Sequence, residues 1–143
     1  MSELEIIYQK DYPDFINPYL KSESMQRLKG VDMNCGLQFT SHAGFSSYGS
    51  YTRYEHSVGV ACIIWHFTHD KKQTLAGLFH DISTRAFSHV IDFVKRDYLT
   101  QESTEDETKQ IILQDTVIMN QLIMDGISVD EVSDYHISVS YTH

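Results

Sequence analysis

The sequence predicts an all-α domain, and two observations carry that expectation. The only two prolines, Pro13 and Pro18, lie near the start of the 143-residue chain, so nothing after them forbids a helix. From Arg53 onward, apolar residues recur at three- and four-residue spacing, and the runs are punctuated by helix-capping residues.

Taken in order, residues 4–8 read as one short N-terminal strand, and Pro13 with Asn17-Pro18 marks irregular chain. Ser24 is placed to cap a short helix carrying Met25, Leu28 and Val31. Glycine and serine make 36–51 a loop. Arg53 to Phe67 reads as a helix with His56, Val60, Ile63 and Phe67 on one inward stripe. Thr74 to Asp81 reads as a second buried helix, with Leu75, Leu78, Phe79 and Ile82 on its apolar flank. Gly77 lies one turn before His80 and Asp81, where a missing side chain gives a neighbouring helix room. Ser88 to Tyr98 is expected to form a third helix. Thr104 with Glu107 is a capping-box pattern for a fourth. The apolar phase breaks at Gln114-Asp115, so Asp115 should cap a separate helix that ends at Gly126. Ser128 with Glu131 opens a short last one.

Length allows one domain over 1–143. A 41% hydrophobic and 12% aromatic content fits a folded chain. The net charge of −9 argues against a phosphate-backbone footprint, so nucleic acid is not an expected partner. Cys35 and Cys62 are widely spaced and read as reduced, buried thiols. The longest apolar run, Val60 to Trp65, falls far short of the roughly 20 residues that span a bilayer. With no basic, apolar leader at the start, the expected location is cytoplasmic, without a membrane partner.

His80-Asp81 ends an apolar helix, where a charge without a partner is costly. Such a pair either braces the helix end by hydrogen bonds or holds a metal. Adjacent helical residues project about 100° apart, so both reach one ion only at a helix end. An inward His56 is either a satisfied core residue or a third ligand. Imidazole and carboxylate donors together suit one divalent ion, with Mn, Mg, Fe, Ni and Zn not distinguished by the donor set.

Arg53-Tyr54-Glu55-His56-Ser57-Val58-Gly59-Val60 resembles the R-x-x-H-S-x-G-V motif of the HD superfamily of metal-dependent phosphohydrolases. Leu78-Phe79-His80-Asp81 resembles its second, naming motif. Phe87-Ser88-His89 and Met25-Gln26-Arg27-Leu28-Lys29 are similar to segments of the branch containing deoxynucleoside triphosphate triphosphohydrolases. The likeness covers about residues 5–110 and implies an HD-type helical bundle. It implies His56, His80 and Asp81 as metal ligands, Arg53 as a phosphate-contacting residue and His89 as a lining of the phosphate site. Asp92 matches an acidic residue that orients a catalytic histidine. Where that histidine stands in the branch, this chain reads Ser103-Thr104-Glu105, so proton transfer would fall to Glu105 or Glu102. Ser83, Thr84 and Ala86 also depart from the branch pattern.

The superfamily's closing aspartate lies on a later helix, and only Asp125, Asp130 and Asp134 follow residue 115 as candidates. The tail from Ile137 reads as strand or coil. The domain is therefore expected to be incomplete at its C-terminus, with homo-oligomerisation through a bare helix face left open. The expected function is hydrolysis of a nucleotide or related phosphate ester. The alternative is a non-catalytic HD module that binds nucleotides or partners.

Overall fold

A computed structural model of the chain describes residues 11–33, 41–43, 51–84 and 102–133. These residues are mostly helical, and no strand or sheet occurs among them; the nearest approach is a single antiparallel bridge between Asp32 and Thr52. Helices α1 (Asn17–Leu20) and α2 (Glu23–Arg27) are flanked by 3₁₀ turns at Asp14–Ile16 and Leu28–Gly30. They are followed by α3 (Arg53–Thr68), α4 (Lys71–Phe79), α5 (Glu102–Gln114), α6 (Thr116–Asp125) and α7 (Asp130–Ser133). The expected strand at 4–8, the helix at 88–98 and the tail from 137 lie outside the described residues, as does most of the expected loop at 36–51. No described helix is long and apolar enough to cross a membrane.

Local chemistry accounts for most boundaries. Ser22, not Ser24, caps α2, its Oγ accepting from the Met25 N–H at 3.3 Å. The Ser24 N–H instead donates to Asp115 Oδ2 at 3.1 Å. Thr52 and Glu55 form a full capping box that starts α3 at Arg53. Asp70 accepts from the Gln73 N–H and starts α4 at Lys71, a turn earlier than the apolar pattern indicated. Helix α5 already runs at Glu102, so Thr104 lies inside it and not at its start. Acidic side chains favour the positive end of a helix dipole wherever it falls, so the start is free to move towards Glu102.

Asp115 caps α6 as expected, Oδ1 accepting from the Val117 and Ile118 N–H groups at 3.1 and 3.3 Å. Gly126 ends it with φ +69, and the Ile127 N–H reaches back to the Leu122 carbonyl at 3.0 Å. That left-handed closure suits glycine because it carries no Cβ. Because Asp115 holds three backbone N–H groups at 9% exposure, Asp115→Ala is expected to destabilise the chain by about 2 kcal/mol, the upper end for a lost cap. Urea unfolding measures it, and Asp115→Asn should recover most of the loss.

One core is shared by Ile16, Tyr19, Met25 and Leu28 from the first helices, Leu75, Leu78, Phe79 and Ile82 from α4 and its exit, and Ile118 and Leu122 from α6. The Tyr19 hydroxyl donates to Asp125 Oδ2 at 2.5 Å and ties α1 to the end of α6. Burial, then the Asp125 carboxylate, push that hydroxyl above the usual phenol range.

The expected stripe on α3 is corrected by the packing. Ile63 and Phe67 are exposed, Phe67 at 80%, while Ser57, Val58, Gly59, Ala61 and Cys62 are buried. The apolar residues of α3 surround the helix, so spacing alone sets no phase. Helix α3 packs extensively against α4, and tertiary packing, not period, selects the face it buries.

Candidate metal centre

Two adjacent helices deliver three donor atoms to one point. The capping box fixes the first turn of α3, which puts Arg53 at its first position and His56 on the same turn. Helix α4 ends at Phe79, with His80 as its C-cap, and residues 80–83 turn sharply. The turn is held by Ile82 N–H to the Phe79 carbonyl at 3.0 Å and Thr84 N–H to the Asp81 carbonyl at 2.9 Å. Arg27 braces it from α2, Nη2 donating to the Ile82 carbonyl at 2.7 Å. Leaving the helix at His80 is what allows two consecutive side chains to converge.

His80 Nε2 lies 3.3 Å from His56 Nε2 and 3.4 Å from Asp81 Oδ2, and His56 Nε2 lies 3.7 Å from the same carboxylate oxygen. Two ligand atoms each about 2.1 Å from a tetrahedral metal are separated by about 3.4 Å, so this triangle has the size that one ion requires. The three side chains are 16–29% exposed, which leaves the point reachable from solvent.

The tautomer also fits. His80 Nδ1 is 2.6 Å from the Gly77 carbonyl, which can only accept, so Nδ1 carries a proton and Nε2 is the nitrogen left to ligate in the neutral ring. Burial holds the His56 imidazole below its usual pKa; Asp81 acts against that, while His80 and Arg53 add to it. Neutral imidazoles are the form that ligates metals. Two nitrogens and a carboxylate oxygen this close repel one another unless a proton or a cation lies between them. Either His56 donates a hydrogen to His80, or the three share an ion. The donor set and spacing fit the ion.

Arg53 is 7% exposed, and its Nη1 donates to Asp81 Oδ2 at 2.8 Å. The structure thus joins Arg53 to the metal triad through Asp81. Of the other expected site residues, His89 and Asp92 lie outside the described residues, and only the backbone of Glu105, in α5, is described.

Two of the three candidates for a fourth ligand are engaged elsewhere. Asp125 accepts from Tyr19 and Gln121 and pairs with Lys71, and Asp130 is exposed and paired with Lys109. Asp134 lies outside the described residues. Among the described residues, His56, His80 and Asp81 form the one group of three metal-type donors within 4.8 Å of one another. His66 and His69 are exposed and each lies 3.1 Å from Asp11.

Sequence reasoning missed two contributors, Arg27 as brace and the Gly77 carbonyl as acceptor. Nothing in their spacing announces either role. The Thr52-x-x-Glu55 capping box, which fixes the start of α3, was also missed, although its spacing is a signal that could have found it.

Over 119 residues the chain is 32% identical to an uncharacterized protein, YdhJ, of Bacillus subtilis (strain 168). The match covers 82% of this chain but spans only 33% of the relative's length. No family model matches the chain, and no solved structure matches it.

Proposed function

We propose that the chain is an HD-type, metal-dependent phosphohydrolase domain acting on a nucleotide or related phosphate ester. The observation that carries the reading is the triangle of His56 Nε2, His80 Nε2 and Asp81 Oδ2, with edges of 3.3 to 3.7 Å. Its residues are those that the two motifs single out, and helix packing brings them together across the sequence. A divalent ion bound there would supply Lewis-acid chemistry, polarising a phosphoryl oxygen and making water a nucleophile near neutral pH.

The chain's own residues supply the setting. Gly77 holds His80 in the ligating tautomer, and Arg27 holds the turn that presents Asp81. Partial burial of the three donors limits competing water. The carboxylate and the Arg53 guanidinium cancel in charge, so a bound ion would keep most of its positive field for an anionic phosphate.

Metal content after purification, followed by phosphate release from a nucleotide panel with Mn²⁺ added, tests the proposal. Close to one equivalent of metal and release that EDTA abolishes are expected. A metal-free chain that gains no activity with Mn²⁺ would sink it.

A second reading, a non-catalytic module that binds nucleotides or partners, is favoured by one observation. Asp125 and Asp130 are committed to other partners, so neither completes the triad. Metal bound without phosphate release would select it.

A further inference from the structure

Resting on the metal-centre reading, we infer that Arg53 is a positioning residue, which fixes Asp81 Oδ2 against the two histidine nitrogens. The oxygen that accepts from Arg53 Nη1 at 2.8 Å is the same oxygen that faces His56 and His80 at 3.7 and 3.4 Å. One atom of Asp81 is therefore shared between a fixed cation and the metal point.

The placement of Arg53 suits that partner. It is the first residue of α3, where a cation meets the positive end of the helix dipole, and it is 7% exposed. A buried guanidinium in that position needs an anion, and Asp81 supplies one. The backbone is pinned as well, with the Arg53 N–H donating to the Val31 carbonyl at 2.8 Å. Swinging out to a phosphate would uncover a buried charge and release the carboxylate from its anchor.

Asp81 needs that anchor because it has left the helix. It sits in the turn after α4, where its backbone lacks the restraint of a helical ladder. The hydrogen-bonded turn places its backbone, and the planar guanidinium donor then restricts where the carboxylate can point. The same contact balances its charge, so an ion held by the triad would not sit in a net negative site. Arg53 thus orients a ligand and keeps the centre attractive to anions.

The test is a Co²⁺ titration of the full chain, followed by visible absorption, for wild type, Arg53→Met and Arg53→Lys. Thermal unfolding in EDTA checks that each variant is folded. Arg53→Met is expected to weaken Co²⁺ binding roughly 10–100-fold and to change the ligand-field spectrum, the range seen when a hydrogen-bond partner of a metal ligand is removed. Arg53→Lys restores a charged donor and should recover most of the affinity. If Arg53→Met does not fold, Arg53→Gln takes its place under the same criterion. Wild-type affinity and spectrum in the neutral variant would overturn the inference. With a raised KM for phosphate ester that result would make Arg53 a phosphate contact, and with only a lowered thermal midpoint it would make it a structural ion pair. A wild-type chain that binds no Co²⁺ would overturn the metal centre itself and the positioning role with it.

Discussion

His80→Ala is expected to abolish metal binding while leaving the fold intact. His80 supplies the donor atom common to the two shortest edges of the triangle, 3.3 Å to His56 and 3.4 Å to Asp81. Alanine offers no donor atom in its place, and among the described residues no other metal-type donor lies in the group. Losing a ligand should cost more than the roughly 10–100-fold in affinity that losing a ligand's hydrogen-bond partner costs. The readout is metal-induced stabilisation. At about 100 times its dissociation constant, an ion that binds only the folded chain adds about 2.7 kcal/mol. For a chain of this size that is a rise of roughly 5–10 °C in the melting midpoint. Wild type should show the rise with Zn²⁺ or Mn²⁺, and His80→Ala should not. In EDTA the two should melt alike, because His80 is partly exposed at a helix end and lies outside the core cluster. A variant that keeps the metal-dependent rise would remove His80 from the centre.

The second large effect is on stability. Phe79 is fully buried immediately before His80, and its ring meets that of Tyr19 edge-on, with centroids 5.8 Å apart at 72°. Phe79→Ala should cost about 3–5 kcal/mol through lost burial and the cavity left behind. The aromatic pair adds about 0.5–1.5 kcal/mol. Against a total stability of about 5–15 kcal/mol for a typical domain, that unfolds a large share of the molecules on warming. Phe67→Ala is the matched control. That side chain is 80% exposed, so its removal should change stability by no more than about 0.5 kcal/mol. Urea unfolding of the pair separates the two positions, and equal losses would contradict the phase assigned to α3.

That contrast shows where one-dimensional reading stops. Helix α4 carries a clear apolar flank, so Leu75, Leu78, Phe79 and Ile82 were legible as core, and all four are fully buried. Helix α3 is apolar around much of its circumference, so period alone could not choose between Phe67 and Ala61. Caps were legible where a single side chain does the work, as Asp115 and Gly126 do for α6. They were misread where two candidates compete, as Ser22 and Ser24 do before α2. Tertiary contact settles that case, because the Ser24 N–H is taken by Asp115, a distant residue.

The candidate site divides in the same way. The identity of its donors came from the resemblance of the two motifs, R-x-x-H-S-x-G-V and the His-Asp pair, because local chemistry left His56 and the pair open to structural roles. The sequence by itself determined the helical class, the break at Asp115, the stop at Gly126 and the choice of His56, His80 and Asp81. Only the tertiary structure decided that these three converge, that Arg53 faces Asp81, and that Arg27 and Gly77 hold the turn and the tautomer. The reason is physical. Capping and periodicity act over about one helical turn, whereas convergence depends on how α3 packs against α4, and that is set by side chains distributed over the whole contact.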